Sequence, residues 1–157
     1  SDRQKIKIES QEQFTERFDL ALWATKTAIW DWDIARGVMW RSSGQQFIYG
    51  GEEIESSREF DIEDDDDPWI LRLHPEDRAI VVQGLRTYLQ TNASQSSESL
   101  YSVEYRYRRP NDEYIWIRSI SRAIRASDGK ALRIVGSNSD ILTGDYIDPA
   151  RSYRTAG

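Results

Sequence analysis

Few side chains in this chain could do chemistry. Cysteine is absent and His74 is the single histidine among 157 residues. Without thiols there can be no disulfide, thiolate nucleophile, Cys-based zinc or iron–sulfur site, or cysteinyl photochemistry. One imidazole also argues against most transition-metal sites. His74 stands in RLHPEDR, just ahead of Pro75, Glu76 and Asp77. Proline at the first helical position with two carboxylates in the first turn marks a helix start. His74 therefore reads as a helix junction and N-cap. The competing readings, an axial haem ligand or an acid–base group, have no second histidine and no nucleophile–base pair beside them.

Other groups invite chemical readings. Glu63, Asp64, Asp65, Asp66 and Asp67 form an acidic run, and hard cations want several carboxylates. A calcium loop, however, spaces its ligands around a turn glycine, and five adjacent acids repel one another, so a solvated loop is the plainer reading. Ser119 and Asn138 are polar residues inside strand-like runs. If buried they need partners, and a bound ligand competes with a cross-strand hydrogen bond or solvent. The six tryptophans could cage an aromatic ligand. Trp30, Trp32, Trp40 and Trp116 fall in strand-like runs, where core or interface packing is the usual role. Asn92-Ala93-Ser94 fits a glycosylation triplet and, without a secretory signal, reads as ordinary loop.

Composition narrows the classes. Charged residues make up 31% and hydrophobic ones 38%, yet 11% aromatics argue for a folded core of one-domain size. The net charge of −6 argues against nucleic-acid or anionic-membrane binding, which needs clustered Lys and Arg. No apolar run approaches the length of a membrane-spanning helix, so a cytoplasmic location is expected.

The elements that would position these residues follow from periodicity. Ser10 to Gln13 reads as a capping box ahead of a helix over 11–24. Residues 28–34 alternate as a strand, Ala35-Arg36-Gly37 can turn, and 38–42 return as its hairpin partner. Ser43-Gly44-Gln45-Gln46 reads as a second capping box for a short helix ending at Gly50-Gly51. Residues 52–66 are acidic and aperiodic. Asp67-Pro68 opens a short helix, and Pro75 opens a longer one reaching about residue 91. After a polar loop at 92–99 come three strand-like runs, 103–108, 114–125 and 131–141, joined by turns at 109–112 and 127–130. Both faces of the middle run carry apolar groups: Trp116, Ile120 and Ile124 on one, Ile115, Ile117 and Ala123 on the other. Both faces therefore call for cover.

This order resembles a PAS domain. IWDWDIARGVMW is similar to the opening hairpin of the Trp-rich PAS subfamily, DPWILRLHPEDR to its helix junction, and VEYRYRRPNDEYIWIRS with AIRASDGKALRIVGSNSDI to its C-terminal PAC motif. The likeness spans about residues 14–142. It implies an α+β fold: a five-stranded antiparallel sheet with short helices on one face and an N-terminal flanking helix. The implied division is flanking helix 1–24, sensor domain 25–142 and linker or tail 143–157. Two departures are visible. Asp140-Ile141 leads to Leu142, with Thr143 one place late for the family's Asp-Ile-Thr ending, and the 52–67 stretch is long and acidic.

The resemblance also implies a role. Such domains sense a signal for a covalently linked output domain, a histidine kinase of a two-component system or a cyclase in cyclic-di-GMP signalling, in bacterial multidomain proteins. They have no turnover of their own. The implied ligand-facing positions are Trp32, Phe47, Leu73, Tyr105, Ile117, Ser119 and Asn138. Asp33, Asp140 and Ile141 are the implied signal relay, with Asp140 bonded near the first hairpin. The cofactor stays open between a non-covalent flavin, a small metabolite and none. A homodimer is expected, the first helix packing on the sheet or against a second copy. The competing role is a ligand-free dimerisation and relay module. Tyr49-Gly50-Gly51-Glu52-Glu53-Ile54 resembles the Gly-Gly-acidic hairpin of diguanylate cyclases, but here it follows a short helix, so Gly50 reads as a helix cap.

Overall fold

Strand alternation and proline- or glycine-marked junctions set the architecture. The computed structural model describes residues 1–52, 54–90 and 99–141. In chain order the elements are α1 (Asp2–Ala24), β1 (Thr27–Asp33), β2 (Val38–Arg41), α2 (Gln46–Tyr49), β3 (Ser57–Glu59), α3 (Pro68–Arg72), α4 (Pro75–Gln90), β4 (Tyr101–Arg108), β5 (Tyr114–Arg125) and β6 (Ala131–Ile141). One antiparallel sheet runs β3-β2-β1-β6-β5-β4. This is the expected α+β PAS-type sheet with one addition. β3 is a sixth strand in the acidic stretch that carries no periodicity, and at three residues it is too short for alternation to register.

Each strand turns one set of side chains towards the helices. In β5 these are Ile117, Ser119, Ser121 and Ala123, all buried, while Ile120 and Ile124 on the other face are 39% and 47% exposed. The helices cover the inner face alone. Two clusters make up the core. Ala28, Ile48, Leu73, Val81, Val103 and Tyr105 belong to one, and Trp32, Met39, Phe60, Ile70, Leu85 and Ile134 to the other. Trp69 and Tyr101 pack against both.

Three of the predicted junctions, at Gly37, Asp67 and His74, form as the residue chemistry requires. Gly37 takes φ +66° in the first hairpin turn, a region a side chain would strain. The Asp67 carboxylate accepts from the backbone N–H groups of Trp69 (3.0 Å) and Ile70 (3.4 Å), capping α3. It also takes a two-pronged bond from Arg58, at 2.6 and 3.1 Å. The acidic run thus does not act as a unit, since Asp67 turns inward and Glu63 pairs outward with Arg86 at 2.7 Å. His74 Nδ1 accepts from Glu76 N–H at 3.1 Å, which makes it the side-chain cap of α4. Its own N–H donates to the Arg106 carbonyl at 2.9 Å, and Leu73 bridges to Tyr107. The α3–α4 junction is thereby stitched to the edge strand β4.

Three local expectations are corrected. α1 begins at Asp2, with Ser1 and Gln4 as its capping box. Nothing between residues 2 and 10 breaks a helix, so Ser10 lies inside it. The Ser43 to Gln46 capping box does not form. Gln45 precedes α2 with helical angles and makes no capping bond, its side-chain amide donating instead to the Ser42 carbonyl (3.1 Å) and hydroxyl (3.2 Å). Finally, α1 buries no residue. It does not pack down on the sheet, and the alternative cover, a second copy, is taken up below.

The strongest helix-to-sheet tie is Asp77 to Arg106. The Asp77 carboxylate accepts from the Arg106 backbone N–H (2.8 Å), Nε (3.0 Å) and a terminal guanidinium nitrogen (2.8 Å). Burial works against the Asp77 charge, but the Arg106 hydrogen bonds outweigh it and hold the carboxyl below the usual carboxylate range. A depressed carboxylate contributes stability above its unfolded pKa and loses it as pH falls through the folded value. Asp77→Asn is therefore expected to cost about 2 kcal/mol in urea unfolding at neutral pH. The gap to the parent should be full above about pH 4 and close as pH falls below that.

Candidate functional site

The candidate site grows from the sheet register. On the inner face, Tyr101, Ser121, Gly136, Trp30 and Arg41 stand opposite one another in turn across five strands. Val103, Ser119, Asn138 and Ala28 form the neighbouring row. Gly136 is the gap the first row needs. A Cβ there would fall 2.5 Å from the Trp30 ring and 2.8 Å from Ser121 Cβ, so the indole can lie across β6 only over a residue without a side chain.

Between this wall and α2, α3 and α4 lies a cavity of about 390 Å³, within the usual range for small-molecule sites. Aromatic side chains form one connected part of its wall. Trp32 meets Phe60 edge-on at 5.1 Å, Phe60 meets Trp69 at 6.2 Å, and Trp69 meets Tyr105 at 5.7 Å, a chain of edge-to-face contacts. Tyr49 and Tyr107 add a further pair at 4.7 Å.

The polar part of the lining divides in two. One part is satisfied internally. Asn138 Oδ1 accepts from Trp30 Nε1 at 3.1 Å, and Asn138 Nδ2 donates to the Tyr49 hydroxyl. Burial pushes the Tyr49 hydroxyl well above its ordinary pKa, although the Asn138 bond pulls the other way, so it stays neutral. The other part is left without partners. Among the described residues, the buried Trp32 Nε1, Arg41 Nε, Gln46 Oε1 and Tyr105 hydroxyl make no hydrogen bond, and all four residues line the cavity. The Tyr105 hydroxyl lies near Tyr49 and Trp69 but meets neither at bonding geometry. Buried polar atoms are ordinarily paired, so several such atoms around one cavity mark it as unusual.

Of the residues nominated from sequence, Trp32, Tyr105, Ser119 and Asn138 line this cavity. Leu73 and Ile117 do not; both are packed in the core, 1% and 0% exposed. Phe47 is 55% exposed and faces a smaller, separate groove beside Leu22 and Trp23 of α1. α2 has a single turn, and Ile48 and Tyr49 take its inward positions. Asp33 ends β1 and accepts from Arg36 N–H at 3.0 Å. Asp140 is not bonded to the first hairpin. It pairs with Arg109 of the β4–β5 turn at 3.2 Å, and Arg109 also donates to the Ile48 carbonyl at 2.8 and 3.0 Å. Ile141 stands opposite Trp116 on the outer face. His74 lies outside the cavity lining.

Sequence reasoning missed Arg41, Tyr49, Arg58, Phe60, Trp69 and Arg72, which also line it. Strand alternation does place Arg41 on the same face as Met39, opposite Trp30. No periodic signal leads to Arg58 or Phe60 in the acidic stretch.

The comparisons with known proteins agree with this geometry. The chain matches the family model described as PAS fold over residues 56–138. The crystal structure of a sensory box histidine kinase/response regulator from Burkholderia thailandensis is 28% identical, with TM-score 0.61, covering 89% of this chain and 92% of that one. The N-terminal domain of a diguanylate cyclase with PAS/PAC sensor from Marinobacter aquaeolei is similar at 19% identity and TM-score 0.56, covering 73% and 94%. A domain of a light and redox sensing histidine kinase from Haloarcula marismortui gives 19% and 0.56, covering 81% and 99%. No curated protein matches the sequence.

The Asn138 network carries a direct test. Asn138→Ala strands Trp30 Nε1 and the Tyr49 hydroxyl, and should cost about 2–3 kcal/mol in urea unfolding. Tyr49→Phe removes one end alone and should cost less than half of that. Equal costs would mean that Asn138 does not bridge the two aromatics.

Proposed function

The chain belongs to the PAS family, and on that premise we propose that it is a signal-input module which binds a small ligand in the aromatic cavity and passes a shift of the sheet to an output domain in the same polypeptide. One observation carries this reading: a chain of rings lines the cavity, and polar atoms of four of its residues are unpartnered. A ligand that meets those atoms in one arrangement of the domain and not in another shifts the balance between them, and that difference in binding is the whole energetic requirement for a signal.

The output is proposed from the company the fold keeps: a histidine kinase or a cyclase, as in the Burkholderia and Marinobacter proteins. The ligand is a non-covalent one, either a flavin or a small metabolite, since a chain without cysteine cannot form a thiol adduct. The exit runs through the end of β6. Asp140 and Ile141 lead the chain away from the sheet, and Arg109 joins Asp140 to the Ile48 carbonyl of α2. Movement of α2 over an occupied cavity is thereby coupled to the last strand. Asp33 holds the opposite end, where the first hairpin turns.

A second reading, dimerisation with or without ligand, is favoured by apolar surface that the helices leave uncovered. Ile6, Ile8, Phe14, Leu20 and Trp23 of α1 are exposed, as are Ile120, Ile124 and Trp40 on the outer face of the sheet. Patches of this kind mark interaction sites, and a second copy of the chain would cover them.

Native mass spectrometry with an absorption spectrum distinguishes the two. A retained small molecule, released on denaturation, is expected under the first reading. An empty protein that binds nothing from a panel of flavins and aromatic metabolites contradicts it. Sedimentation is expected at twice the 18.3 kDa chain mass, and Phe14→Glu with Ile120→Glu should return the mass to that of one chain. A parent protein that sediments as a monomer at high concentration rules out the dimer.

A further inference from the structure

The ligand's chemical class can be read from the cavity, on the proposed reading that the cavity is the ligand site. The chain as a whole carries 27 acidic and 21 basic residues, yet three arginines, Arg41, Arg58 and Arg72, line the cavity against one carboxylate, Glu52. Local charge therefore runs opposite to the charge of the molecule.

Among these guanidinium groups only Arg58 is neutralised, by its two bonds to Asp67. Arg72 donates to the Arg108 carbonyl at 3.1 Å. Arg41 donates one terminal N–H to the Glu55 carbonyl at 2.8 Å, and its Nε has no partner. Neither has a carboxylate within ion-pair distance among the described residues. Burial and the neighbouring Arg58 charge pull the Arg41 guanidinium below its usual pKa, with Asp67 and Glu55 offsetting part of this. A partly buried charge with so little direct compensation is costly, and an anion from outside would relieve it.

The geometry fixes the rest. Arg41 stands opposite Trp30 and diagonal to Trp32 on the inner face, so an anion at Arg41 has the indole wall beside it. Edge-to-face rings of Trp32, Phe60, Trp69 and Tyr105 suit a planar apolar body. At about 390 Å³ the space falls in the range of small-molecule sites, which suits a small organic molecule. We infer that the cavity takes a planar aromatic acid, with its carboxylate on Arg41 and its ring enclosed by those four aromatic side chains. A carboxylate offers the guanidinium two acceptors in its own plane, whereas a cation would meet the charges of Arg41 and Arg72.

The test compares 2-naphthoate with 2-naphthamide by titration calorimetry on the full chain at pH 7. The acid should bind at least about tenfold tighter, the value of one charge-assisted contact. In Arg41→Met, checked for a parent-like thermal transition, the acid should weaken to the level of the amide while the amide is unchanged. Equal binding of acid and amide to the parent overturns the inference and leaves the cavity reading standing, and this comparison does not depend on the variant folding. Binding of neither compound overturns the inference, and the cavity reading falls with it only if the panel of flavins and aromatic metabolites fails as well. An acid preference that survives Arg41→Met removes Arg41 from the role.

Discussion

The antiparallel pairing of Thr27–Asp33 with Arg133–Ser139 is the constraint on which the rest depends. It joins the first hairpin to the last strand and makes one wall from segments about a hundred residues apart. The register of that pairing sets Trp30 against Gly136 and Ala28 against Asn138. A slip of one residue would turn every inward side chain outward and set a side chain under the Trp30 ring. The indole over Gly136 and its bond to Asn138 therefore hold the register, and the register in turn places Arg41, Trp32 and Ser119 around one space.

Two energetic terms compete in that space. Aromatic contacts, each worth about 0.5–1.5 kcal/mol beyond simple burial, draw the walls together. Polar atoms without partners oppose closure, at about 1–3 kcal/mol each. The lid reflects the compromise. α3 is held by the Asp67 cap and its Arg58 pair, α4 by Asp77 on Arg106, and the junction between them by His74. α2, by contrast, has one turn, no side-chain cap and its end packed on Pro110 through Gly50 and Gly51. It is held instead through its backbone, the Ile48 carbonyl accepting from Arg109 at 2.8 and 3.0 Å.

Much of this was legible in the residues. Asp67-Pro68 and His74-Pro75 announced their caps because capping is local chemistry, decided within three or four residues. The three final strands and the tryptophan hairpin follow from alternation, while the ligand-facing set comes from the family resemblance, of which Trp32, Tyr105, Ser119 and Asn138 line the cavity and Phe47, Leu73 and Ile117 do not. What escaped depends on distant parts of the chain. β3 has three residues and takes its strand form from β2, not from its own pattern. Phe47 was misplaced because a single-turn helix gives no period from which to tell its faces. Asp140 reaches Arg109 and not the first hairpin, since its side chain follows the inner face of β6 towards the β4–β5 turn. Ser10 reads as a cap on its own, but the favourable helical sequence ahead of it carries α1 back to Ser1.

The claim at the centre is that the ring-lined space between sheet and helices is open to a guest. The six tryptophans provide their own reporters. Trp30, Trp32 and Trp69 line the cavity, while Trp23 and Trp40 are exposed and Trp116 lies under Arg106 on the outer face. In a nitrogen-15 spectrum of the indole N–H groups titrated with indole as guest, the signals of Trp30, Trp32 and Trp69 should move together and saturate while the other three stay fixed. Shifts confined to Trp23, Trp40 and Trp116, or no saturable shift in the cavity three, would contradict the account.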